Sequence, residues 1–169
     1  ALAALLALGG AARADETTRV PAERLAEAIA AAAPGDTIEV TGGTFNGNLV
    51  VDKTLTLIGL DGATLDAGGQ GTVLRLEGPD SVVRGFIVQN SGNSLDREDS
   101  GIIIAAPRAR VENNRLDNVL FGIYINSAPG TTVRGNDITG QDLDIARRGV
   151  LIRRWDSTDV LIEENSTHR

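Results

Sequence analysis

Two short stretches of this 169-residue chain hold the side chains best suited to chemistry. The first, QNSGNSLDREDS between Val88 and Gly101, carries Asp96, Arg97, Glu98 and Asp99. The second, TGQDLDIARR between Ile138 and Gly149, carries Asp142, Asp144, Arg147 and Arg148. Grouped carboxylates can offer hard oxygen ligands to Ca²⁺ or form the acid pair of a glycoside hydrolase. They can also be a solvated face, since exposed charge runs often do no chemistry. Because both signs of charge are present, docking to a protein suits them better than holding a bare cation. Soft-metal chemistry lacks ligands: there is no Cys and no Met, and His168 is the single histidine. No G-x-S-x-G, CxxC, P-loop or H-E-x-x-H motif occurs.

The rest of the chain must place these stretches. It has 20 Gly but only Phe45, Phe86, Phe121, Tyr124 and Trp155 as aromatics, so stacked Ile, Val and Leu must build the core. From Thr37 onward, short β-branched runs alternate with Gly, Asn and Asp. Gly101-Ile-Ile-Ile, Gly122-Ile-Tyr-Ile and Gly149-Val-Leu-Ile recur, each followed after a turn by a second unit. That unit is Val111-Glu-Asn-Asn114, then Val133-Arg-Gly-Asn136, then Ile162-Glu-Glu-Asn165; an earlier copy, Val83-Arg-Gly-Phe86, has Phe in place of Asn. A period of roughly 20–30 residues with several short strands per unit predicts a solenoid.

The expected fold is therefore an all-β, single-stranded, right-handed parallel β-helix forming one domain over residues 15–169. Asn114, Asn136 and Asn165 are expected to form a structural ladder, each amide bonding the next at a bend where Asn tolerates a left-handed backbone. Gly101, Gly122 and Gly149 are expected to open their strands after tight turns. The VPAERLAEAIAAAA run over 20–33 predicts a short amphipathic capping helix, with Leu25, Ala28, Ile29 and Ala32 on its apolar face and Pro34-Gly35 as its stop. Both charged stretches are insertions at one corner of consecutive coils, flanking the short DNVLF link over 117–121. A groove floored by Asp117–Phe121 follows, with Asp96, Glu98, Asp99, Asp142, Asp144, Arg147 and Arg148 as candidate docking residues.

Residues 1–14, ALAALLALGGAARA, match the apolar region and A-x-A step of a partial secretory signal peptide, which predicts export. Their apolar part is too short to span a bilayer. No capping signal follows Asn165, so the repeat is expected to be incomplete at the C-terminal end. A formal net charge of -7 argues against nucleic acid as a partner.

The ordered segments GGTFNGNLVVDKTLTLIG (42–59), GPDSVVRG (78–85), DSGIIIAA (99–106), NNRLDNVLFGIYI (113–125), VRGNDITG (133–140) and ARRG (146–149) resemble the amino-terminal part of the NosD family. The resemblance implies a periplasmic, non-enzymatic accessory protein. It would assist assembly of the copper–sulfide centre of nitrous-oxide reductase, a step of denitrification, with an ABC transporter as partner. The family is associated with copper, but no cofactor or metal site is expected within this chain. An alternative of another class stays open: a polysaccharide lyase, epimerase or hydrolase on the same scaffold, recruiting Arg147, Arg148 and the groove acids. A structural β-helix without small-molecule chemistry is a third.

Overall fold

A computed structural model describes residues 14–168, so the signal-peptide expectation falls, apart from Ala14, outside the described residues. Among the described residues the first elements are strand β1 (Thr17–Val20), a 3-10 turn over Ala22–Arg24 and helix α1 (Leu25–Ala31). Three-strand coils follow: β2 (Thr37–Thr41), β3 (Thr44–Asn46), β4 (Leu49–Val51); then β5 (Thr56–Leu60), β6 (Thr64–Asp66), β7 (Leu74–Leu76). The third coil is β8 (Val82–Arg84), β9 (Ile87–Gln89), β10 (Ser100–Ile104), and the fourth is β11 (Arg110–Glu112), β12 (Arg115–Val119), β13 (Phe121–Asn126). A fifth coil is β14 (Thr132–Arg134), β15 (Asp137–Gly140), β16 (Ile152–Trp155), and β17 (Leu161–Glu163) and β18 (Ser166–His168) begin a sixth. Equivalent strands pair in parallel into a 7-stranded, a 6-stranded and a 5-stranded sheet. The molecule is an all-β parallel solenoid.

In-register stacking explains how so few aromatics suffice. Along the first sheet, Ile38, Leu57, Val83, Val111, Val133 and Ile162 lie one above another. The second sheet stacks Leu65, Val88, Leu116 and Ile138, and the third stacks Leu74, Ile102 and Ile123. Those second- and third-sheet residues are fully buried. Burying each such aliphatic side chain stabilises the fold by about 1.5–3 kcal/mol relative to exposure.

The N-terminal expectation needs one correction. Helix does not begin at Val20, because Thr17, Thr18 and Val20 are β-branched and the run pairs with β2, from Thr17↔Thr37 to Val20↔Val40. Pro21 then ends the strand and admits the turn into α1. Ala22, Leu25 and Ile29 enter the main core, and Ala28 and Ala32 pack against it, so the helix covers the first coil. Lys53 donates to the Ile29 and Ala32 carbonyls at 3.0 Å each, holding the helix's C-terminal end.

Asn114, Asn136 and Asn165 form a ladder inside the bend between the first and second sheets. Asn136 Oδ1 accepts from the backbone N–H and Nδ2 of Asn114, both at 3.0 Å, and Asn165 Oδ1 accepts the same pair from Asn136, both at 2.9 Å. The left-handed residue is not the ladder Asn but the one before it: Gly85, Asn113, Gly135 and Glu164 have φ of 79°, 54°, 63° and 56°. The ladder side chain is thereby turned inward while its predecessor makes the bend. At the other end the ladder stops at Phe86, whose N–H donates to Asn114 Oδ1 at 3.1 Å.

Gly101 and Gly122 are also not turn glycines, since neither has a positive φ. They are small because coils approach closely. A Cβ on Gly101 would lie 2.8 Å from Leu116 Cδ2 and 2.9 Å from the Gly122 carbonyl oxygen. On Gly149 it would collide with the Leu120 carbonyl.

Candidate functional site

The corner between the second and third sheets keeps the long–short–long order of its links. Residues 90–99 join β9 to β10, Leu120 alone joins β12 to β13, and residues 141–151 join β15 to β16. A groove of about 370 Å³ runs along this corner. Ser91 and Asn93 come from the first long loop, Asn118 from the short coil, and Gln141, Asp142 and Leu143 from the second long loop. Leu120 and Phe121, expected at its floor, are buried instead.

Gln141 ties the two loops together. Its Nε2 donates to the carbonyls of Ser91 at 2.9 Å, Gly92 at 3.2 Å and Asn118 at 3.4 Å, spanning the corner from the fifth coil to the third. Ser91 Oγ in turn accepts the Leu120 N–H at 2.9 Å. Beside the groove, Asp66 accepts from Gln89 at 2.7 Å, from Asn90 at 2.8 Å and from the Gly68 N–H at 2.7 Å. Partial burial pushes the Asp66 carboxyl upward, but these hydrogen bonds outweigh it and hold its pKa below the usual carboxylate value. Asn118 Nδ2 donates to Asn90 Oδ1 at 2.9 Å, so amides line the corner from coil to coil.

The charged residues singled out by sequence separate into distinct roles. Asp99 is buried inside its own loop, where it accepts from Ser94 N–H at 3.0 Å and Arg97 Nη2 at 3.1 Å. Gly92 lies so close to the Asp99 carboxylate that no Cβ fits between them. Asp99 therefore shapes the loop and is not available to a partner. Of the acids expected to dock a partner, Asp99 is thus the one turned inward. Glu98 turns over the third sheet and pairs with Arg153. Asp96, Asp142, Asp144, Arg147 and Arg148 are exposed, and of these only Asp142 lines the groove.

Arg153 and Gln141 were not singled out by sequence, although the alternation of β16 carried a hint for Arg153. In register with Tyr124 across the coils, Arg153 shares its outward face. Its guanidinium lies 4.7 Å from the Tyr124 ring centroid and 5.8 Å from that of Phe121. Ile103, Leu120, Phe121 and Tyr124 are buried yet lie outside the main core cluster. Glu98–Arg153 closes over Tyr124 and Phe121 as a latch, so the first long loop is pinned at both ends of the corner.

Burial, and next the neighbouring Glu98 carboxylate, push the Tyr124 phenol above its ordinary pKa of 10.0. Because the folded value is raised, this contribution to stability is complete below the unfolded pKa and is lost as pH rises through the folded one. Tyr124 is the only tyrosine, so absorbance of phenolate reports it alone. Its midpoint should lie above that of the urea-unfolded chain, and Arg153→Met should alter it because the neighbouring cation is removed. Coincident folded and unfolded midpoints would show the phenol to be open to water.

His168 pairs with Asp137 at 2.9 Å across two coils. Among the described residues, no group of three or more His, Cys, Asp or Glu is placed to hold a metal ion. Nor is any helix among them long and apolar enough to cross a membrane.

A family model described as protein of unknown function (DUF1565) matches residues 47–167. Two curated relatives both carry the name probable ABC transporter binding protein NosD. The one from Pseudomonas aeruginosa is 33% identical over 126 residues, which cover 73% of this chain and 29% of the relative. The one from Stutzerimonas stutzeri is 32% identical over 100 residues, covering 58% of this chain and 23% of the relative. The chain thus spans less than a third of the length of these relatives. No solved structure matches it. With the matched region running from the first coil to the last described strand, the chain belongs to the DUF1565 family and is NosD-like.

Proposed function

We propose that this chain is part of a periplasmic accessory protein that works with an ABC transporter in maturing nitrous-oxide reductase, at the stage of its copper–sulfide centre. The observation that carries the reading is the likeness to two NosD relatives, named as ABC transporter binding proteins, across 73% and 58% of the chain. The architecture supports a binding role over catalysis. The groove presents Ser91, Asn93, Asn118 and Gln141 with a single carboxylate, Asp142, whereas hydrolysis of a glycoside uses two. The exposed charges Asp96, Asp142, Asp144, Arg147 and Arg148 form the partner-facing surface in this reading, with Glu98 and Asp99 holding it in shape.

A strain lacking the gene should export nitrous-oxide reductase that has little or no copper–sulfide centre, as seen by its absorption spectrum and copper content. Restoring the gene should restore both. Fully loaded, active reductase in the deletion strain would sink the proposal.

A further inference from the structure

The outward row of the third sheet changes character partway along. Val50, Arg75, Ile103, Tyr124 and Arg153 stand in register, strand above strand. Val50 is 49% exposed, whereas Ile103 and Tyr124 are buried on the same face. Tyr124 is covered from two sides: Arg153 stacks on its ring, and Glu98 of the first long loop lies beside its phenol. That loop is closed at its base, where the Ser94 N–H donates to the Asp99 carboxylate at 3.0 Å and the Ser94 carbonyl accepts the Asp99 N–H at 3.1 Å. The base is fixed to the body, since the Phe121 N–H donates to the Asp99 carbonyl at 3.2 Å. Beyond it, among the described residues, Glu98 alone links residues 95–98 to another coil by hydrogen bond or charge, through Arg153 and Tyr124.

Glu98 is held there against its own backbone. Its φ of 54° is left-handed, an unfavourable conformation for a residue with a Cβ. Opposing that strain is an ion pair whose side chains are 31% and 35% exposed, and pairs so open to water contribute little. The two contributions are of the same order, so a small loss tips the balance. Strand β16, which carries Arg153, is the outermost described strand of its sheet and pairs with β13 alone. We infer that residues 95–98 form a flap over the outer face of the third sheet, locked by Glu98–Arg153. Breaking the lock lets Glu98 relax to an ordinary backbone and opens Tyr124 and Phe121 to water, while the Ser94–Asp99 base and the coils stay formed. Such a segment opens on its own, at a lower free energy than unfolding of the stack beneath it. Access to the aromatic face is thereby set by one charge pair, and whatever competes for Glu98 or Arg153 uncovers it.

Acetylation of Tyr124 by N-acetylimidazole near neutral pH, read by peptide mass spectrometry, tests this on the full chain. Glu98→Gln and Arg153→Met each remove one charge while keeping most of the side chain's bulk, so neither uncovers the ring by truncation. Each should speed acetylation by about fivefold or more, the factor expected when an exposed ion pair is lost. The two changes act oppositely on the phenol itself, because the Glu98 charge disfavours phenolate and the Arg153 charge favours it. Acceleration in both therefore reports access rather than charge. In the parent, acetylation should also quicken as salt rises about tenfold, which shortens the screening length about threefold. Hydrogen exchange at the Asp99 amide should stay as slow as in the parent, since the base remains closed. Unchanged acetylation in both variants and across the salt range would overturn the flap. Faster reaction in Glu98→Gln with slower reaction in Arg153→Met would also overturn it, as an effect of charge alone. Acceleration together with fast exchange at Asp99 would do the same, because the corner would then be melting rather than opening.

Discussion

Asn136→Ala should lower the free energy of unfolding by about 2–4 kcal/mol, because the change strands several buried polar groups at once. Asn136 Oδ1 receives two hydrogen bonds from Asn114, and Asn136 Nδ2 donates to the Val111 carbonyl at 2.9 Å and to Asn165 Oδ1 at 2.9 Å. Asn114 and Asn136 are both buried, so water cannot replace the lost partners without opening the bend. Asp at this position would not rescue the loss, as it cannot donate to Val111 and would bury a charge. Urea unfolding provides the measurement: the midpoint should fall with an unchanged slope. Asn93→Ala, at an exposed position, is the reference. If the two variants shifted the midpoint equally, the ladder would be a geometric accompaniment with little energetic weight.

Gly122→Ala should destabilise by about 3 kcal/mol through collision alone. Its Cβ would run into the Leu151 carbonyl oxygen and come within 2.7 Å of Ile138 Cγ2. One obstacle is backbone and the other belongs to a fully buried core residue, so neither yields readily. Gly68→Ala separates collision from conformation. At Gly68 a Cβ meets nothing within 4 Å, while φ is +61°. Only the left-handed backbone opposes Ala there, at about 1–2 kcal/mol. Thermal unfolding of both variants should rank Gly122→Ala clearly below Gly68→Ala. The reverse order would mean that β13 and β16 can separate slightly with little penalty. Movement there should also disturb the Arg153–Tyr124 stack, since Tyr124 and Arg153 are register partners on these two strands.

The repeat was legible because its signals are periodic and local. Gly-Ile-x-Ile and Val-x-x-Asn units fall where in-register stacking needs an inward aliphatic or an inward amide, and the unequal links between them mark the corner. What escaped depends on contacts between coils. That Gly122 serves close approach rather than a turn is invisible until Ile138 and Leu151 are placed beside it. Gln141 resembles any loop glutamine in sequence, since its carbonyl partners lie as far as 50 positions away. Asp99 was grouped with its neighbours because a run of charge does not reveal which member turns inward. Four residues of strand before Pro21 were too few to stand out from the helical pattern that follows.

Unequal links between coils have a thermodynamic consequence. Asn114 and Asn136 are 22 positions apart, and Asn136 and Asn165 are 29 apart, yet each pair makes the same two bonds at nearly the same lengths. Closing a longer flexible segment adds chain entropy only as the logarithm of its length. Going from the shorter separation to the longer adds about 0.2 kcal/mol to that penalty, less than a single exposed ion pair can contribute. Elongation of the corner is thus nearly neutral for the stack beneath it. Segments of different length and chemistry can be exchanged there while the cross-section of the solenoid stays the same, which makes this corner a natural site for grafting new recognition loops.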